Sequence, residues 1–231
     1  MIKIEQITKQ YGGQIVLDLP ALLIPAGESF GLVGNNGAGK TTLFRLLLDL
    51  IKPESGSVFI KDEDVSAAAG WKQFTGSYLD QGFLIDFLSP EEFFQFTAKV
   101  KGMSGDDLSL FLEEMESFFQ GEVMGKGKLI RNHSMGNKQK VGIAAALMGK
   151  PELVILDEPF NSLDPSTQIR LKNLIKKWQE ENQITFLISS HDLTHITEVC
   201  SRIVVLHEGK IAHDIKTAED TLESLRSYFA V

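Results

Sequence analysis

The residues with the plainest chemical purpose are Gly34-Asn35-Asn36-Gly37-Ala38-Gly39-Lys40-Thr41-Thr42, which satisfy G-x-x-x-x-G-K-[ST] at every specified position. Glycines let a backbone curl so that successive N–H groups converge on one anion, with no Cβ in the way. A helix that starts directly after such a loop adds its unpaired first-turn N–H groups and its positive dipole end. The pattern describes a cradle for the phosphates of a nucleotide. Lys40 would reach the β- and γ-phosphates, the Thr41 hydroxyl would ligate Mg²⁺, and Thr42 would add a further phosphate hydrogen bond. The plain alternative is a glycine-rich turn opening an ordinary helix. The flanks argue against it: Phe30–Val33 reads as a buried strand ending at Gly34, and Leu43–Leu50 reads as a helix.

A second chemical stretch is Leu153-Val154-Ile155-Leu156-Asp157-Glu158-Pro159, an apolar strand ending in two acids. In P-loop ATPases an Asp so placed holds the Mg²⁺ shell, a role that suits Asp157. Glu158, one residue further on, would stand near an attacking water as general base or water-positioner. An acidic pair after a strand is by itself usually a solvated turn or a helix cap. Beside a complete P-loop the catalytic reading is preferred.

Further motifs follow in a set order: Tyr11, the P-loop, Gln81, a segment at Ser134, Asp157-Glu158, Ser162-Leu163-Asp164 and His191. In that order and spacing the chain resembles the nucleotide-binding subunit of the ATP-binding cassette (ABC) family over nearly its whole length. The resemblance is to the exporter-like bacterial type. It implies that Tyr11 stacks on adenine, which needs only a π-face; a turn tyrosine is the alternative. It implies that Gln81 touches Mg²⁺ and the attacking water and joins the core to a helical subdomain, against the alternative of an exposed loop residue. His191 matches a switch histidine that contacts the γ-phosphate. Asp164 resembles a residue that communicates across a dimer, with a helix N-cap before Pro165 as competitor, and both can hold. The family usually shows Leu-Ser-Gly-Gly-Gln; here the stretch is His133-Ser134-Met135-Gly136-Asn137-Lys138-Gln139, with Met135 and Asn137 in place of the usual Gly and Gln. Ser134 and Gly136 are kept, and Ser134 is placed to cap the helix that follows (Lys138–Met148) and to offer its hydroxyl to a phosphate.

These groups need elements to hold them. Ile2, Ile4 and Ile7 alternate with polar neighbours, Ile15–Leu19 reads as a second strand, and Val58–Ile60 as another. That opening suggests an antiparallel sheet beside a parallel nucleotide-binding core. Residues 86–129 change character. Two helical segments, 90–100 and 105–119, lie in a region holding eight of the fifteen phenylalanines, counted from Phe83 to Phe119. This reads as a helical subdomain inserted into a core formed by 1–85 and 130–231, with a glycine-bearing link, Gly121–Lys128, that would let it swing. Phe83 and Phe87 either fill its core or form a docking surface. Beyond Ser134 come buried strands Val154–Leu156 and Ile184–Ile188, a helix over 165–181, two strands around Glu208-Gly209 and a closing helix over 218–229. The expected fold class is α/β, a P-loop NTPase core with a mixed, largely parallel sheet.

Composition narrows the roles. A chain of 231 residues with 43% hydrophobic and 23% charged side chains can bury a sizeable core. A net charge of −8 without a local Lys/Arg cluster argues against a nucleic-acid surface. A single cysteine, Cys200, excludes an internal disulfide framework and fits a reducing cytosol. With no apolar run long enough to span a membrane and no signal peptide, the chain is expected at the inner face of the cell membrane, through partners. The expected function is ATP binding and hydrolysis by a transporter subunit. It would drive separate transmembrane permease subunits through ATP-dependent pairing with a second cassette. A non-transport relative acting on nucleic acid or ribosomes, or a non-hydrolysing regulatory binder, are the alternatives.

Overall fold

The structure, a computed structural model, describes residues 1–230 and has two sheets. The first is antiparallel: β1 (Ile2–Tyr11), β2 (Gln14–Ile24), β4 (Ser55–Ile60) and the short β5 (Glu63–Asp64), in the order β2-β1-β4-β5. The second holds β3 (Ser29–Val33), β6 (Thr75–Tyr78), β7 (Leu153–Leu156), β8 (Thr185–Ser190), β9 (Arg202–His207) and β10 (Lys210–Lys216), in the order β10-β9-β3-β8-β7-β6. All its pairings are parallel except β9 with β10. Among the described residues there are seven α-helices: α1 (Lys40–Leu47), α2 (Pro90–Val100), α3 (Gly105–Phe119), α4 (Met135–Leu147), α5 (Pro165–Asn182), α6 (Leu193–Val199) and α7 (Thr221–Phe229).

The pattern of burial explains this layering. Every residue of β3, β7 and β8 is buried, as central parallel strands covered on both faces must be. Their side chains alternate between two cores. Phe30, Leu32, Ile155 and Leu187 pack with α1 and the antiparallel sheet. Val33, Val154, Leu156, Phe186 and Ile188 pack with α4 to α6 and the helical region. In β1 the spacing Ile2, Ile4, Ile7 breaks strict alternation because the register slips between Glu5 and Thr8. Gln6 adopts φ 48° there, a β-bulge that returns Ile7 to the core face.

Several sequence expectations need correction. α1 begins at Lys40 and stops at Leu47, because Asp49 turns the chain with φ 53°. α4 begins three residues earlier than read, with Ser134 as N-cap, and α7 begins at Thr221. β2 runs to Ile24, past Leu19. β6 and α6 were not anticipated. The predicted α2 and α3 occur with the bounds expected. Their aromatic interior (Phe94 and Phe119 stack with centroids 5.7 Å apart) runs on into the core under the large sheet, where Phe111 meets Trp178 edge-on. The 121–128 link is pinned to its surroundings. Val123 is buried, Gly125 N–H donates to the Glu91 carboxylate at 2.6 Å, and Glu122 pairs with buried Lys140 at 2.8 Å.

Candidate functional site

The carboxyl ends of β3, β7 and β8 converge on one edge of the large sheet, where an α/β fold places its ligand crevice. From β3 the chain enters the glycine loop, pressed so closely on β9 that a Cβ at Gly34 would lie 2.4 Å from the Leu206 carbonyl oxygen. Gly39 closes the loop at φ 107°, and a Cβ there would stand 2.9 Å from the Val16 carbonyl. The loop bounds a cleft of about 340 Å³ lined by Val16, residues 35–42 and Glu158.

The helix that opens from this loop differs from its neighbours. α2 to α6 each have a Ser or Asp side chain accepting a first-turn N–H. α1 has no side-chain cap and no acid in its first turn. Its N-terminal N–H groups and dipole are left for an external anion. Lys40, 7% exposed, lies against the same loop with Nζ donating to the Gly34 carbonyl at 2.8 Å and 3.5 Å from a Glu158 carboxylate oxygen. A second anion arriving there would meet a cation already in place.

Thr41 Oγ1 donates to Asp157 Oδ2 at 2.5 Å, bringing the P-loop hydroxyl and the first β7 acid together. Burial pushes the Asp157 carboxyl above the usual carboxylate range, against the hydrogen bonds from Ser189 and Thr41. Those two oxygen donors fit a hard cation such as Mg²⁺, which takes one or two carboxylates and completes its octahedron with phosphate and water. Among the described residues no cluster of three or more His, Cys, Asp or Glu side chains forms a self-sufficient metal site.

Ser189, at the end of β8, ties the two acids. Its hydroxyl donates to Asp157 and accepts the Glu158 N–H at 2.9 Å. Glu158 takes φ 48°, and its carboxylate meets His191 Nδ1 at 2.9 Å on one side and Lys40 on the other. Lys40, Thr41, Asp157, Glu158 and His191 are therefore one connected group. The sequence reading missed Ser189 and Val16; a buried serine on an apolar strand and a valine on an adjacent sheet carry no motif signal.

The remaining candidates lie outside the cleft lining. Tyr11 ends β1, is 48% exposed, and has Lys9 Nζ 5.4 Å from its ring centroid. Gln81 begins a single turn after β6, and its side-chain amide contacts the Met135 sulfur. Ser134 Oγ accepts the Asn137 N–H at 3.2 Å as cap of α4. Gly136 lies where a Cβ would stand 2.6 Å from the Ser162 carbonyl. Asp164 is the N-cap of α5, accepting from Ser166 N at 3.0 Å and Thr167 N at 3.1 Å; the Thr167 and Ser166 hydroxyls, with those N–H groups, hold its carboxyl far below the usual range. His133, just before the cap, has its imidazole shifted down by burial.

With this geometry described, comparison with known proteins is direct. A family model described as ABC transporter matches residues 17–161. The bacitracin transport ATP-binding protein BcrA of Enterococcus faecalis is 36% identical over 228 residues, covering 95% of this chain and 70% of that protein. The lantibiotic transport ATP-binding protein SrtF of Streptococcus pyogenes is 31% identical, covering 99% of this chain and 96% of its own. Among solved structures, the ATP-binding cassette MJ0796 in a dimeric post-hydrolysis state bound to ADP and Pi superposes with TM-score 0.84 at 26% identity, covering 94% of this chain and 99% of that one. The sequence match, the shared fold and the connected P-loop site agree: the chain belongs to the ABC transporter family, as an ATP-binding cassette.

Proposed function

We propose that this cassette binds ATP with Mg²⁺ and hydrolyses it, and that the cycle drives separate membrane subunits of an exporter-like transporter. The observation that carries the reading is the uncapped N-terminus of α1, whose Lys40 and Thr41 line one cleft with Glu158 while Thr41 bonds Asp157. Phosphate oxygens take the loop N–H groups and Lys40. Thr41 and Asp157 would hold the cation, which would supply charge neutralisation at the phosphates when bound. Glu158, oriented by Ser189 and His191, accepts a proton from or aligns the water that attacks phosphorus in line. His191 donates toward the γ-phosphate once it is freed from Glu158.

Ser134, Gly136 and Asp164 stand away from the chain's own cleft. Their place in the mechanism is at the cleft of a second cassette facing this one, so that each ATP is held by the P-loop of one and the Ser134 segment of the other. Exposed Phe83 and Phe87 beside the Gln81 turn offer an apolar face to a membrane subunit. No described helix is long and apolar enough to cross a membrane. Two relatives are named for bacitracin and lantibiotic transport, and a cargo of that kind is the substrate we propose for the assembled transporter. The altered signature favours one second reading, a cassette that binds nucleotide without turning it over.

Nucleotide binding and Mg²⁺-dependent turnover by wild type and Lys40→Ala decide between these. We expect turnover only with Mg²⁺. Lys40→Ala should lose about 1.5–3 kcal/mol of binding, because a charged hydrogen-bond donor to phosphate is removed, roughly ten- to a hundredfold in Kd. Undiminished affinity in that variant would overturn the site assignment. Tight binding by the wild type without turnover, membrane subunits included, would favour the regulatory reading.

A further inference from the structure

The structure assigns to Gln139 the positioning of Glu158. This rests on the hydrolytic reading above and gives a role of its own to the last residue of the Ser134 segment, which was given none by the motif. Gln139 lies on the second turn of α4, 5% exposed, with its side chain directed at the chain just past β7. Its Nε2 donates to two consecutive carbonyls, Glu158 O at 3.1 Å and Pro159 O at 2.7 Å. One primary amide has two N–H donors, and these two acceptors use them.

The backbone so held is one that would not keep its shape unaided. Glu158 is a non-glycine residue at φ 48°, in the left-handed region. The proline that follows narrows its options further. A residue persists in such a conformation only when its surroundings over-determine it. Around Glu158 the supports are few: its N–H goes to Ser189 Oγ at 2.9 Å, and its carbonyl takes the Asn161 N–H at 3.2 Å and the Gln139 amide. The Glu158 carboxylate stands between Lys40 and His191 because of this turn. Were the turn to relax toward an ordinary extended backbone, the carboxylate would swing out of line with the cleft. The phosphate cradle of residues 35–42 lies outside this turn and would keep its shape.

The same helix faces two other parts of the machinery. Its first residue, Met135, touches Gln81, and Gly136 admits the Ser162 carbonyl. Gln139 thus also ties the setting of Glu158 to the helix that begins with the signature Ser134. A change in the pose of α4, as when Ser134 engages a second nucleotide, reaches Glu158 through two hydrogen bonds.

The test compares Gln139→Met, which keeps shape and burial but removes both donors, with Gln139→Ala and with Glu158→Gln, in the full chain with its membrane subunits. Turnover is measured beside equilibrium binding of ATP and thermal unfolding. For Gln139→Met we expect kcat to fall at least about tenfold with ATP affinity unchanged within about twofold, since a misplaced base costs the chemical step and not ground-state binding. Gln139→Ala, if folded, should show the same split. A folded Gln139→Met with wild-type kcat beside an inactive Glu158→Gln would overturn the positioning role alone. A loss of kcat matched by an equal loss of ATP affinity or of folded protein would also overturn it, showing Gln139 to be merely structural. Wild-type turnover in Glu158→Gln would instead sink the catalytic reading on which it rests.

Discussion

Asp164 caps α5, and in the reading proposed above the same side chain also communicates across a cassette pair. Its carboxylate takes two backbone N–H groups and two hydroxyls at the head of α5, and those bonds hold its ionised form. Asp164→Ala should therefore cost about 1 kcal/mol by loss of the cap, or roughly 2–4 °C in Tm for a chain of this size. Solvent screens the exposed charge, so cap geometry sets the size. The pH dependence has a definite sign. The folded carboxyl titrates below its unfolded counterpart, so its stabilisation is present above the unfolded value and disappears as pH falls through the folded one. The Tm gap between wild type and variant should be full above about pH 5 and begin to narrow below about pH 4. A gap that widens on acidification would mean that the carboxylate is not what caps α5.

At the scale of elements, α4 and β6 show why part of the fold could be read from sequence and part could not. The P-loop and the β7 acids are local patterns: an apolar run ends in a fixed set of residues, and the chemistry is written within ten positions. β6, by contrast, is Thr75-Gly76-Ser77-Tyr78, with one large apolar side chain in four. It is a strand because β7 pairs with it and α4 crosses it, and both partners lie far along the chain. A Cβ at Gly76 would come within 1.7 Å of the Ala146 carbonyl oxygen, and one at Gly142 within 2.2 Å of the Tyr78 ring. Burial under that helix pushes the Tyr78 phenol up to about 12. Neither glycine has a positive φ, so neither is marked by turn chemistry; only the crossing demands them. The same holds for Gln139, a polar residue with no periodic signal until the helix is laid against β7. Gly76→Ala should overpack this crossing and cost about 1–3 kcal/mol, seen as a Tm lowered by roughly 2–10 °C, while ATP binding by the folded fraction persists. An unchanged Tm would mean that α4 can lift from β6, and with it the rigid link from signature helix to Gln81.

For the whole molecule, one asymmetry has to be resolved. The cleft is lined by residues 35–42 and Glu158, while Ser134, Gly136 and Asp164 lie outside that lining. In the pairing proposed above, a second cassette in head-to-tail register would complete both clefts at once, and a two-fold arrangement is self-complementary. ATP can favour that closed pair only by binding it more tightly than the open chains, so slowing hydrolysis should accumulate pairs. Light scattering on Glu158→Gln should accordingly show a doubling of solution mass with Mg-ATP and return to one chain without it. Replacing Ser134 by Ala in that background should weaken pairing while leaving ATP bound, because the hydroxyl lost belongs to the facing cleft. Pairing unaffected by Ser134→Ala would place the interface elsewhere. A chain that binds ATP and stays single would mean that the complementary surface is carried by a different cassette or arranged by the membrane subunits.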